Sequence, residues 1–492
     1  TGTTAQFNTA LSDGSFATLA GAETLTNKTL TSPVLNGTLT GTGLHFYTPE
    51  QYGCVGDDST DDATNLQSAV TAATTAGKAL LISQTHAIGS SISIPANEHI
   101  IFTESAHVRL TASGATQAFL VEGSNVYIEN MRLKEPFPTE PGSLVSGTHY
   151  DTVASRTRGN NGLEVFQAIG TQIENLTLIN PHVSGFGYAS YWLEHLNNSR
   201  LIAPISNRVG KYGLIALSCT GLDIVAPNFD DHGPGQGGTG VLLNQYGIMF
   251  TRNAGDTLAN APVCKDCTVI GGKVNDVDSW EGLDTHGGDN IKFIGVTVTG
   301  VAFGGVATEA DGASEKAPPS DVLFQGCHFT AGATIGSGAV IEGSDADNLA
   351  NNVRFVDCVF DGFGGTANSV NRGAADIQTA ISPRFENCRW LNSSFANVDL
   401  NGNVIGLELT GFEFGKVSAI GDSAFHIRAD VATLQGVIHN GRADMGQPGN
   451  SFLRLSAASS PGYGLEVREH SIEFNHDETG YVIYHEPALA IT

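Results

Sequence analysis

Within Trp280-Glu281-Gly282-Leu283-Asp284-Thr285-His286, two carboxylates and an imidazole crowd into one short stretch of a chain that is only 15% charged. Hydrolysis of a glycosidic bond needs a carboxylic acid to protonate the leaving oxygen and a second carboxylate as base or nucleophile. Crowded carboxylates push one another's pKa values apart, so that one keeps its proton. Asp284 and Glu309 are the preferred pair, Glu281 is a near substitute, and His286 either holds a carboxylate in place or binds sugar hydroxyls. Trp192, Tyr188, Tyr191 and Trp280 offer rings for a sugar to stack on, and Tyr246, Arg252, Asp276, Asp278 and Asp311 join Trp280 in the candidate substrate-binding set. Two insertions, 230–238 and 311–319, would wall a groove around them. Asp230, Asp231 and His232 form a second candidate, set lower because the Gly and Pro beside them read as loop.

Composition narrows the partners. With 50 Asp plus Glu against 24 Lys plus Arg, the 492-residue chain carries a formal charge of −26, which excludes a nucleic-acid partner and disfavours anionic membranes. A neutral or weakly acidic glycan suits that field. Seven cysteines cannot all pair within one chain, and Cys264-Lys265-Asp266-Cys267 is a lone CxxC without a second pair. No metal and no cofactor are expected.

The scaffold that would position these groups is repetitive. Sixty glycines and many Asn, Thr, Ser and Val residues point to β-structure with frequent tight turns. The pattern apolar-x-apolar-x-x-apolar-x-apolar recurs with its third apolar position at Met131, Leu176, Ile205, Pro227, Gly272, Val296, Cys327, Cys358, Cys388, Phe412 and Val437, spacings that suit the coils of a parallel β-solenoid. Cys327, Cys358 and Cys388 then form an interior ladder of small apolar groups. A second strand precedes this one in each coil, with Leu163, Trp192, Leu214 and Leu283 aligned. Alternation along it turns Leu283 inward and Asp284 and His286 outward. On the next coil it turns Val306 and Thr308 inward and Glu309 outward, close to His286.

Two further stretches carry a resemblance. Tyr52-Gly53-Cys54-Val55-Gly56-Asp57-Asp58-Ser59-Thr60-Asp61-Asp62 leads into a helix with Ala63, Leu66, Ala69, Val70 and Ala73 on one face, capped by Asp61 or Asp62 and ended by Gly77. It resembles the opening of the pectate-lyase-like superfamily, with Asp58 where that pattern has Gly. The resemblance implies an all-β fold, a right-handed parallel β-helix with a short N-terminal capping helix. Glu23-Thr24-Leu25-Thr26-Asn27-Lys28-Thr29-Leu30-Thr31-Ser32-Pro33-Val34 resembles a stretch of phage tail fibres and tailspikes.

Taken together, the chain is similar to a bacteriophage tailspike depolymerase. That likeness implies a homotrimer on the virion, joined to the phage baseplate or tail through its N-terminus and hydrolysing bacterial capsule, O-antigen or exopolysaccharide. The expected domains are a tail linker at 1–46, the β-helix with its groove at 47–445, and a closing β-region at 446–492. Leu193, Ile215, Leu217 and Met249 are expected to form trimer contacts.

Three alternatives stand beside this reading. Gly282-Leu283-Asp284-Thr285-His286 resembles the G-x-D-P-H motif of alginate epimerases, which implies a lyase or epimerase acting on a uronate, with His286 as base, Tyr246 as acid and Arg252 or Lys292 as neutraliser. A spike that grips glycan without cutting it is the second. A secreted pectinase-like enzyme is the third, set lower by the tail-like opening and the lack of a leader.

Overall fold

The computed structural model describes residues 46–112, 116–135, 160–166, 171–232, 245–309, 315–333, 336–364, 373–417, 425–445, 451–455, 462–468, 471–475 and 483–485. The expected tail linker, apart from Phe46, lies outside the described residues, as does Asp311. No described helix is long and apolar enough to cross a membrane.

Short strands stack in parallel, each on its counterpart one coil away: Lys292–Ile294 on Leu323–Gln325, then Arg354–Val356, then Arg384–Glu386. The described strands join into one continuous sheet. Such a stack places like on like. Phe293, Phe324, Phe355 and Phe385 form an interior column with ring centroids 4.8, 4.4 and 5.1 Å apart, and Phe329, Phe360 and Trp390 form another at 5.5 and 5.4 Å. The thiols of Cys327, Cys358 and Cys388 sit at equivalent places, each donating to the carbonyl of a core Phe one coil back at 3.5, 3.4 and 3.3 Å. All seven cysteines are free and buried. Cys264 donates to the carbonyls of Ala216 and Thr251, so it packs as a small buried group, and burial pushes its thiol well above its ordinary pKa.

Three members of the expected repeat stand elsewhere. His182 N–H donates to Met131 O, Ile205 N–H to Pro181 O, Asn228 N–H to Pro204 O and Lys273 N–H to Pro227 O. The column therefore runs Met131, Pro181, Pro204, Pro227, Gly272, Val296, Cys327, Cys358, Cys388, Phe412 and Gly441. Leu176, Ile205 and Val437 do not belong to it. A template built on apolar alternation passes over proline, yet this position contributes only its carbonyl to the ladder, and proline keeps that.

The helix spans Ala63–Ala76, with Ala63, Leu66, Ala69, Val70 and Ala73 buried and Gly77 closing it in the left-handed conformation (φ 60°). Of the two aspartates, only Asp61 caps the helix with its side chain. Asp61 Oδ1 accepts the Ala63 N–H at 3.0 Å, whereas Asp62 turns back to the Val55 and Gly56 N–H groups and to His86 Nδ1 at 2.8 Å. The Gln67 amide clamps the Ser93 backbone in both directions, at 2.9 and 2.7 Å. Asp58 adopts the left-handed conformation that glycine holds easily (φ 59°), and Arg109 Nε donates to its carboxylate at 2.8 Å.

Coil corners are built from asparagine and aspartate in the same conformation. Asn97, Asn125, Asn175 and Asn198 link amide to amide at 3.0, 2.9 and 2.8 Å. Further along, Asn290, Asn352, Asn387 and Asn392 each donate to an aspartate one coil back, respectively Asp266, Asp321, Asp357 and Asp361. Parallel pairing continues past residue 446, where Ser451–Leu455, Gly462–Val467 and Ile472–Asn475 stack on the preceding coils.

Candidate functional site

The strand Lys273–His286 lies between Tyr246–Thr251 and Thr297–Thr308. Tyr246, Glu281 and Phe303 stand in one column, Met249, Asp284 and Val306 in the next, and His286 beside Thr308. A Cβ on Gly282 would fall 2.4 Å from Val298 Cγ1, so Gly282 faces the core, as does the buried Leu283. Two successive inward positions break strict alternation. The result is that Glu281, Asp284 and His286 share the outer face.

This register differs from the expected one by a single residue. Leu163, Tyr191 and Leu214 are the true partners: Tyr191 is wholly buried, its hydroxyl donating to Pro181 O at 2.9 Å, and Trp192 faces outward beside Glu164 and Ile215. One step of slip exchanges the two faces of a strand. Val306 accordingly stands outward beside Asp284, and Thr308, not Glu309, neighbours His286. Glu309 follows the end of its strand, where its Oε1 accepts the Ala317 N–H at 2.6 Å.

His286 Nε2 lies 3.4 Å from Asp284 Oδ2 and 3.9 Å from Glu281 Oε2. Asp284 is fully buried. Burial first, and the Glu281 charge second, raise its pKa well above the usual carboxylate range, which favours its protonated form. One donor atom from each of Glu281, Asp284 and His286 falls within 4.8 Å of the others, close enough to surround a cation. Cys54, Asp62 and His86 meet the same criterion, but the Asp62 oxygens are already committed to two backbone N–H groups and to His86.

A row of rings leads to this cluster along the outer face. Tyr188 stacks on Trp192 at 5.6 Å, Tyr212 stacks on Tyr246 at 5.2 Å, and Tyr246 meets the His286 ring edge-on at 6.2 Å. Lys211 lies over Tyr212 and Tyr188. Ile215, Leu217 and Met249 belong to this outer cluster, with Trp192 and Trp280 packed against it, whereas Leu193 is interior. Trp280 also contacts Phe303 edge-on at 5.0 Å. Sequence reasoning passed over Tyr212 and the buried Glu164. The signal was the recurrence of Tyr212-Gly213, Tyr246-Gly247, Glu281-Gly282 and Phe303-Gly304, an outward group before a glycine at one place in four coils.

The remaining candidates are dispersed. Arg252 is buried with its guanidinium on the carbonyls of Asp256 and Glu315, at 3.0 and 2.6 Å, where it joins two loops. Asp276 is an exposed corner residue in the left-handed conformation (φ 52°). The Asp278 side chain, like those of Asp231 and His232, lies outside the described set. Lys292 belongs to another strand column, between Thr268 and Leu323.

No protein-family model matches the chain, and no curated protein matches its sequence. Solved structures do resemble it. The tailspike protein of E. coli bacteriophage HK620, solved with a hexasaccharide, aligns at 11% identity over 90% of this chain and 80% of that one, with a TM-score of 0.47. The polygalacturonase of Erwinia carotovora aligns at 9% identity over 80% of this chain and all of that one, also at 0.47. A mannuronan C-5 epimerase module of Azotobacter vinelandii aligns at 12% identity over 90% and 99%, at 0.42.

Proposed function

We propose that this protein hydrolyses glycosidic bonds of a bacterial surface polysaccharide, with Glu281 and Asp284 as the carboxyl pair. The observation that carries this reading is a proton-holding, buried Asp284 beside Glu281 at the end of an outward row of aromatic rings. Glu281 takes the part first given to Glu309, whose carboxylate serves the Ala317 backbone.

An oxygen of Glu281 lies within 4.8 Å of one of Asp284, which leaves no room for the water that an inverting enzyme holds between its carboxyl groups. Asp284 then gives its proton to the glycosidic oxygen as the C1–O bond breaks, and Glu281 bonds to C1. Water next displaces Glu281 from C1, and its proton returns to Asp284. His286 holds both carboxyls in place.

Incubation with purified surface polysaccharides tests this, following new reducing ends together with the ultraviolet absorbance of unsaturated sugars. Reducing ends without that absorbance are expected. Glu281→Gln and Asp284→Asn should each lower the rate by roughly 10²–10⁴-fold while leaving binding nearly intact.

The edge-on contact of Tyr246 with His286 favours elimination on a uronate as a second reading, with Tyr246 as acid and His286 as base. It ranks lower because Arg252, the expected neutraliser, is committed to backbone carbonyls. A grip without cleavage would give no products at all. The phage-tail location and the homotrimer rest on the stretch Glu23 to Val34 and on the solenoid architecture, and light scattering of the intact protein tests the trimer.

A further inference from the structure

The outward column that holds Asp284 continues along the solenoid as Val306, Val340, Asp376, Asp399, Arg428 and Arg454. Three strand steps separate Asp284 from Asp376, about 14 Å at ~4.8 Å per step. None of Asp376, Asp399 and Arg428 belongs to the mechanism above. Both aspartates are fully buried and Arg428 nearly so.

Asp399 is satisfied by Arg428, whose NH1 lies 3.2 and 3.4 Å from its two oxygens. Asp376 is satisfied only by half. Its Oδ1 accepts the Gln378 Nε2 amide at 3.3 Å and the Asn401 Nδ2 amide at 3.2 Å, whereas its buried Oδ2 has no hydrogen-bond partner. A buried oxygen of this kind is unfavourable until a partner arrives. Gln378 and Asn401 are partly exposed, and they lie between solvent and the buried Asp376 carboxyl.

Burial first, and the Asp399 and Glu342 charges after it, raise the Asp376 pKa to about 7. Near neutrality Oδ2 therefore carries a proton to donate. The charged groups facing it are Glu342, Asp399 and Arg428, and Asp399 is paired with Arg428. The missing partner must be an uncharged acceptor, because a ligand anion would face Asp399 and Glu342.

We infer that Asp376, with Gln378 and Asn401, forms a second glycan subsite three coils from Asp284, which binds an uncharged, hydroxyl-bearing sugar of the same polymer chain. Val306 and Val340, both buried, stand between the two positions. This inference rests on the polysaccharide reading above.

The test uses full-length Asp284→Asn protein, so that nothing is cleaved, against a printed panel of purified bacterial surface polysaccharides of known structure, neutral and uronate-containing. Affinity for the ligand should weaken as pH rises through about 7, because Asp376 loses its donor. Adding Asp376→Ala should weaken binding about tenfold, the worth of one buried hydrogen bond. Adding Asp376→Asn, which keeps an N–H donor, should retain affinity and remove that part of the pH dependence. Thermal melts identify any variant that fails to fold, and the Asn variant then decides.

Binding within twofold of the parent in the Ala variant, or a pH profile unchanged in the Asn variant, overturns the subsite while leaving the polysaccharide reading intact. Failure of the parent to bind any panel member overturns both.

Discussion

Gly282 offers a direct way to ask whether the coil below fixes the carboxyl pair. A Cβ there would lie 2.4 Å from Val298 Cγ1, 3.3 Å from Val301 Cγ1 and 3.4 Å from Gly304 O. Ordinary carbon contacts lie at about 3.5–4.0 Å, so Gly282→Ala must move the strand outward by roughly 1 Å. Overpacking of this kind costs about 1–3 kcal/mol, and a misplacement of about 1 Å at catalytic groups costs on the order of 10²-fold in rate. Glu281 adjoins Gly282 and Asp284 lies two residues on, so both shift with it. The expected outcome is a modest fall in melting temperature with a fall of roughly a hundredfold in kcat/KM for reducing-end release. Val298→Ala removes the clashing methyls, and the double variant should recover most of the lost rate, with a coupling of about 0.5–3 kcal/mol. Retention of activity by Gly282→Ala within threefold, or a double variant no faster than the single one, would refute the claim that this contact sets the site.

Tyr212→Ala removes the stacking partner of Tyr246 and should raise KM for the polysaccharide with a smaller effect on kcat, read from initial rates. Asp376 has its folded pKa raised from 3.8 to about 7, so its contribution to stability is full below pH 3.8 and is lost as pH rises through 7. Asp376→Asn should therefore melt higher than the parent at pH 8, by an amount on the order of 4 kcal/mol at 1.36 kcal/mol per pH unit, and match it near pH 4. A variant that gains nothing at pH 8 refutes the buried proton. All seven cysteines are buried, so a thiol reagent should label none of them rapidly in the native protein and all of them in denaturant. A rapid native reaction at Cys264 would contradict its packing.

Much of the architecture was legible because a solenoid repeats its chemistry. Phe293, Phe324 and Phe355 recur in matching segments, and the thiols at Cys327, Cys358 and Cys388 follow them into one column. The coils near Pro181 and Pro204 were harder to place because that position needs a carbonyl rather than an apolar side chain. The crowding of Glu281, Asp284 and His286 could be read directly, since it depends on neighbours within one strand. Partners contributed by other coils depend on register, and there the alignment was one residue out: Gly305, not Val306, stands on Leu283, and Tyr191, not Trp192, stands between Leu163 and Leu214. That slip placed Glu309 at His286, turned Val306 inward and exchanged Tyr191 with Trp192. Asp376, Asp399 and Arg428 escaped notice for a related reason: far apart in the chain, they become neighbours only once three coils are laid side by side.

The corner asparagines carry a chemical liability. Asn290, Asn352, Asn387 and Asn392 each lend an amide hydrogen to an aspartate one coil back. Loss of ammonia from any of these amides would leave two carboxylates in contact where a hydrogen bond had been, exchanging attraction for repulsion along the edge of the stack. Ageing of this protein should thus register first as loosened seams between neighbouring coils, each local to the corner where the amide was lost, while the phenylalanine columns inside keep their order.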